Sequence, residues 1–364
     1  MAKVKVAIVG EVRFVRACSL AGFVRESNTP PGNWGSAACK IIGNNVKRHS
    51  DTFEEEVQMW VYQEQVDGRN LTDIINERHE NPKYLPGIKL PENVVANPDL
   101  KSTAKGATAL VFVTPHQFVE KICDDLKDSI ATSGVKGITL VKGVDVNKDK
   151  IKIFADVIQE KLGIACCALS GANIANEVAQ ESFCETTIGY RTEEDGKLFK
   201  KLFDTSNFRV QLINDVQGVS LCGALKNVVA VAAGFVDGLG YGNNTKSAII
   251  RLGLLDMKNF AQEFFPEVLD RTFLEESAGI ADVITSCFGG RNRKVAEAFV
   301  RTRKPFEELE KEMLGGQKLQ GNLTAYEIHS FLKARGREHA YPLFNVVYKI
   351  AHDGLPPEKL TEGL

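Results

Sequence analysis

The chain has 364 residues, with 45 Lys and Arg against 47 Asp and Glu and a formal charge of -2 at pH 7. Hydrophobic residues make up 43% and charged residues 25%, which excludes a globally disordered chain, and the length fits two domains of roughly 150 residues each. This balance gives no electrostatic reason to expect nucleic acid or a membrane as a partner, although net charge is blind to a local basic pocket for a small anion.

The opening Val4-Lys5-Val6-Ala7-Ile8-Val9-Gly10 has too short an apolar stretch for a signal peptide and ends in a glycine turn, so it reads as a strand. No uninterrupted apolar run reaches the roughly 18 residues of a membrane-spanning helix, so none is expected. Further short apolar or β-branched runs at 57–62, 109–114, 137–141, 165–169, 186–189 and 208–212 predict strands. Several are continuously apolar, as in strands covered on both faces. Helical patterns lie between them, including 117–130 and 148–162. The alternation predicts an α/β fold, a doubly wound, mostly parallel sheet of the Rossmann type. After Asn214 the character changes, and 216–235, 246–264, 293–301 and 305–314 read as helices. The expected division is therefore 1–214, a nucleotide-binding domain, and 215–364, a mainly helical domain.

Residues 11–31 break the rhythm. They separate the first strand from Gly32-Asn33-Trp34-Gly35-Ser36-Ala37, whereas such connections usually run about 2–6 residues. Gly10 followed by Gly32 and Gly35 resembles a dinucleotide-binding glycine motif, in which a tight turn brings backbone N–H groups to a pyrophosphate. With the insert in between, a plain glycine turn fits the residues equally well. At the end of the second strand, Tyr62 suits stacking on an adenosine and Glu64 suits a ribose; both also fit an ordinary strand end.

Polar groups recur where later strands should end: Thr114-Pro115-His116-Gln117-Phe118, Lys142 and Ser170-Gly171-Ala172-Asn173. Ligands of doubly wound sheets bind at such strand ends. A Lys226-Asn227 pair lies inside the apolar run 221–235. A buried ammonium requires a partner or a shifted pKa, and Asp282 is the candidate partner; a lysine that snorkels outward is the alternative. Gly289-Gly290-Arg291-Asn292-Arg293-Lys294 at a helix start suits a phosphate, or is a solvated basic helix end. The glycine-rich segment 315–321 is a candidate lid or a linker. The eight cysteines show no C-x-x-C spacing, which suits a reducing, cytoplasmic setting, and the six histidines show no zinc-binding spacing, so no metal is expected.

Taken together, GNWGSA at 32–37, VTPHQF at 113–118, LVKGV at 140–144, SGANIANEVA at 170–179, LCGALKNVVAVAAGF at 221–235, FGGRNRKVAEAF at 288–299 and GGQKLQG at 315–321 resemble the eukaryotic cytosolic NAD-dependent glycerol-3-phosphate dehydrogenases. The resemblance covers nearly the whole chain apart from 11–31. It implies NAD as cofactor, a small phosphorylated triose as substrate, a Rossmann domain closed by a helical domain, and a homodimer. It implies that Lys226 is the catalytic acid/base, with Lys142, Asn227 and Asp282 around the reacting carbonyl. Arg291 and Asn292 match the phosphate-binding pair, and Lys142 and Ser286 also match substrate positions. Ser286 stands where the family often has Thr. Gly10, Gly32, Asn33, Trp34, Gly35, Tyr62, Phe118, Ala175, Arg291, Lys318 and Gln320 match cofactor positions, Tyr62 replacing a common Phe. Two alternatives retain the fold: a related 3-hydroxyacid dehydrogenase, favoured by activity on a phosphate-free ketone, and a non-catalytic protein whose cofactor binding the insert impairs.

Replacing residues 11–31 by a single Ser is expected to tighten NADH binding and raise activity, because the short glycine turn is what presents N–H groups to phosphates. A fluorescence titration checks it; equal or weaker binding in the shortened chain makes the insert a working part of the site.

Overall fold

The structure is a computed structural model that describes residues 2–10, 33–146 and 150–364. The insert at 11–31, Gly32 and the start of the expected 148–162 helix lie outside the described residues.

The first strand, Val4–Val9, is apolar on both faces, and Val6 to Val9 are fully buried. It pairs in parallel with Phe53–Trp60 on one side and Ala109–Phe112 on the other. The eight-stranded sheet continues beyond Phe53–Trp60 to Val94–Asn97. On the other side it runs through Lys136–Thr139, Ala165–Ser170, Cys184–Gly189 and Phe208–Ile213. Chain order reverses between Val4–Val9 and Ala109–Phe112, which makes the carboxyl ends of these two strands the switch point of a doubly wound sheet. Within this sheet all pairings are parallel except that between Ala165–Ser170 and Cys184–Gly189. Helices such as Asn33–Arg48, Val119–Leu126, Phe154–Leu162 and Glu193–Phe203 cover the faces.

Three expectations change. The strand Val94–Asn97 has no forecast counterpart: it is a short edge strand with one neighbour, Phe53–Trp60. Of the expected 148–162 helix, the described residues are helical over Phe154–Leu162, because Ile151–Ile153 pairs with Val144–Val146 as a hairpin. The 117–130 helix is a single 3₁₀ turn, His116–Phe118, followed by Val119–Leu126.

Past Ile213 the chain is helical. The central helix, Val216–Gly238, has 23 residues and is buried on nearly every side. By length and composition it is apolar enough to cross a membrane, against the expectation from uninterrupted runs, yet here its surroundings are protein. Around it pack Asn243–Phe264, Asp282–Gly289, Arg291–Thr302, Gln320–Lys333 and Pro342–His352. Small residues set the spacing: a Cβ on Gly234 would lie 2.3 Å from the Arg293 carbonyl oxygen, and one on Gly238 2.5 Å from Val300 Cβ.

Asp215 starts the central helix. Its Oδ1 accepts from the Gly218 amide at 2.7 Å, while Oδ2 accepts from the Leu269 amide at 3.0 Å and the Thr272 hydroxyl at 2.6 Å. One buried carboxylate thus caps the helix and fastens the 269–272 segment to it. Asp215→Ala strands these donors, and urea unfolding is expected to show a loss of about 2–4 kcal/mol.

Candidate active site

The strand Lys136–Thr139 runs out into Leu140-Val141-Lys142, which carries Lys142 to the carboxyl edge of the sheet. Its Nζ donates to Asp282 Oδ2 at 2.8 Å and to the Gly171 carbonyl at 3.3 Å. The central helix passes that edge at Gly223, where a Cβ would lie 3.0 Å from Ser170 Oγ and 3.5 Å from Lys142 Cγ. One turn further along the helix come Lys226 and Asn227. Lys226 Nζ donates to Asp282 Oδ1 and, at 2.7 Å, to Ser286 Oγ. Asp282 therefore holds both ammonium groups, one on each oxygen.

Asp282 and Ser286 lie four residues apart on one helix face, which is why both reach Lys226. A single π turn, Ser277–Ala281, precedes that helix. Ser277 pins it by donating to the Glu185 carbonyl at 2.7 Å and accepting from the Ala172 amide at 3.3 Å. Gly279 allows close packing, since a Cβ there would lie 2.3 Å from the Phe273 carbonyl oxygen.

Lys226 is only 6% exposed and Asp282 only 2%. Burial, and secondarily the neighbouring Lys142, lower the Lys226 pKa to about 8, against the opposing pull of Asp282. An amine that titrates there exchanges a proton readily near neutral pH.

A second set of bonds continues from Asn227. Its Oδ1 accepts from Asn292 Nδ2 at 2.9 Å, and Asn292 Oδ1 accepts from the Gly321 amide at 2.8 Å. Arg291 reaches Gln317 Oε1 at 3.4 Å. The 315–321 segment is thus tied to the Arg291-Asn292 pair, and its last two residues open the helix Gln320–Lys333. Lys318 Nζ is 2.9 Å from Glu310 Oε2.

The residues matched to the cofactor are distributed along the sheet edge. Gly10 ends the first strand at the switch point with φ +136°, and a Cβ would meet Thr114 Cγ2 and the Val113 carbonyl at 2.8 Å. Glycine is therefore what fits at this strand end, the place where a doubly wound sheet receives a dinucleotide. Asn33, Trp34 and Gly35 form the first turn of the next helix; Asn33 bonds Asn176 at 3.3 Å, and the Trp34 ring packs 6.2 Å from that of Phe208. Tyr62 follows the second strand and is 37% exposed. Glu64 is committed elsewhere: it accepts from Lys83 and from the Tyr84 hydroxyl, so it does not wait free for a ribose. Phe118 packs partly against the core before the helix Val119–Leu126, and Ala175 starts the short helix Ala175–Ala179.

Sequence reasoning did not single out Glu310, Ser277 or Asp215. Glu310 sits four residues after Phe306, on the apolar face of its helix, and that spacing was the available signal.

Fold and site together define a two-part dehydrogenase of the Rossmann type: a sheet whose switch point suits a dinucleotide, and a helical half that carries a buried lysine to that edge. The comparisons narrow the class. The family model for the NAD-dependent glycerol-3-phosphate dehydrogenase N-terminus matches residues 30–195, and that for the C-terminus matches 215–362. Cytoplasmic NAD-linked glycerol-3-phosphate dehydrogenase of Mus musculus is 55% identical over 325 residues, 89% of this chain and 93% of that protein. The glycerol-3-phosphate dehydrogenase 1-like protein of Homo sapiens is 56% identical, covering 92% and 94%. The solved glycerol-3-phosphate dehydrogenase of Saccharomyces cerevisiae superposes with a TM-score of 0.89 at 43% identity, over 100% of this chain and 99% of that one. The chain belongs to the NAD-dependent glycerol-3-phosphate dehydrogenase family.

Proposed function

We propose that the chain interconverts dihydroxyacetone phosphate and sn-glycerol 3-phosphate, with Lys226 as the proton-transferring group. The observation that carries this reading is the buried Lys226 ammonium shared between Asp282 and Ser286. NAD, when bound, supplies or accepts the hydride. Gly10, Asn33, Trp34, Gly35, Tyr62, Phe118, Ala175, Arg291, Lys318 and Gln320 are the described residues assigned to hold it.

In ketone reduction, negative charge develops on the carbonyl oxygen, and Lys226 donates a proton there from its ammonium form. Lys142 adds a second positive charge at the same place, and Asp282 keeps the two lysines together. Asn227 is held by Asn292, so the group beside the reacting carbon and the group beside the phosphate share one bond. Arg291 takes the phosphate with its guanidinium fork, and this remote contact orients the ketone. Ser286 holds the Lys226 ammonium in place. The division at 214/215 then separates a nucleotide half from a substrate half. A cytoplasmic homodimer completes the reading, resting on the family resemblance and, for location, on cysteines that are all unpaired among the described residues.

Lys226→Ala is expected to lower turnover by roughly 10²–10⁴-fold in a folded protein. In the unmodified chain, reduction should fall as pH rises through about 8, because the ammonium donor is lost, while oxidation, which needs the free amine, should rise through the same range. Steady-state rates in both directions check it; near-unchanged turnover in the variant removes Lys226 from the mechanism.

A further inference from the structure

Glu310 lies on the helix Phe306–Leu314, in a run of acidic and basic residues that reads as solvated surface. It is nevertheless only 4% exposed. A buried carboxylate is costly unless its oxygens are paired. Both are paired, and both partners come from the glycine-rich segment that follows. Oε1 accepts from the Leu319 amide at 2.8 Å, and Oε2 accepts from Lys318 Nζ at 2.9 Å. The Glu310 carbonyl takes a third bond, from the Gly316 amide at 2.9 Å. Gly315 and Gly316, at φ +59° and +83°, turn the chain back so that it can reach the carboxylate.

Leu319 is the residue from which the helix Gln320–Lys333 starts, so the carboxylate also stands at the positive end of that helix dipole. Where this helix begins matters to the site. Gln320 is its first residue, and Gly321, its second, donates to Asn292. The approach has no slack, since a Cβ on Gly321 would lie 2.4 Å from the Asn227 carbonyl oxygen. Lys318 has a side chain 70% exposed while its tip is held, which leaves the ammonium at a fixed place on an otherwise open surface.

We propose that Glu310 is a positioning residue for the nucleotide: by holding the Lys318 ammonium and the Leu319 amide it pre-orients Lys318 and Gln320 for the cofactor. This rests on the assignment of Lys318 and Gln320 as cofactor contacts. Pre-orientation acts on binding, because an ordered group loses less conformational freedom when the ligand arrives. The charge on Glu310 acts through Lys318, whereas its acceptor role toward Leu319 survives in a glutamine.

The test uses the full chain and NADH as the probe, in fluorescence titrations of the unmodified protein, Glu310→Gln, Lys318→Met and the double variant. Loss of a charge-assisted bond is expected to raise the NADH Kd about tenfold in Glu310→Gln, with kcat at saturating NADH and the KM for dihydroxyacetone phosphate within about twofold. Lys318→Met should weaken NADH binding as well, and adding Glu310→Gln to it should change little further, because one pathway is already broken. The proposal is overturned if Lys318→Met weakens binding while Glu310→Gln leaves the NADH Kd unchanged or tightens it. It is equally overturned if Glu310→Gln lowers kcat and raises both KM values together, the pattern of general damage. If Lys318→Met leaves NADH binding unchanged, the assignment of Lys318 to the cofactor fails and the proposal fails with it.

Discussion

Asp282 stands between two ammonium groups in a place almost closed to water, and most of the architecture serves that arrangement. Lys142 comes from the end of a sheet strand, Lys226 from the central helix and Asp282 from a third helix. An unpaired buried ammonium is held out of water at a cost of several kcal/mol, so Lys226 is not sustained there without Asp282, while Lys142 reaches the same carboxylate from a partly exposed position. One carboxylate against two cations leaves the cluster one positive charge in excess. Burial lowers the Lys226 pKa, with Lys142 adding to it and Asp282 opposing it, and the excess charge is what an anionic substrate with a developing alkoxide complements.

Close backbone approach makes the convergence physically possible. Gly223 lets the central helix touch the sheet edge beside Ser170 and Lys142, and Gly321 lets another helix reach Asn227. A Cβ at Gly321 would force the two helices apart, because it would meet backbone, and one at Gly223 would crowd the Ser170 hydroxyl. Asp215 and Ser277 then fix the starts of the elements that carry Lys226 and Asp282. The Asn227–Asn292–Gly321 series joins this centre to the segment that bears Lys318 and Gln320, so nucleotide and phosphate contacts share one framework.

Lys226 was legible in the sequence because a lysine in the middle of an apolar helix contradicts its surroundings, and Asp282 because so few acids lie in apolar context. The sheet was legible for the same reason, its strands being continuous apolar runs. Val94–Asn97 was not, since a short strand with one neighbour carries little hydrophobic signal. The helix Gln320–Lys333 was hidden by a glycine-rich lead-in that resembles a loop, whereas Pro342–His352 was passed over although Leu343, Phe344, Val346, Val347 and Ile350 repeat at helical spacing. Glu64 misled for another reason: its position suits a ribose, but Lys83 and Tyr84, distant in sequence, already occupy its oxygens. Glu310 was not singled out because the charged composition around it outweighed its place on the apolar face of its helix.

The central claim is that Asp282 controls the protonation of Lys226. The most direct measurement is the pH dependence of kcat for dihydroxyacetone phosphate reduction in Asp282→Asn beside the unmodified chain. Asparagine keeps the shape and removes the charge that favours the ammonium, so the high-pH limb should move from about 8 to lower pH, with a lower plateau. A limb that stays in place in the folded variant would contradict the account.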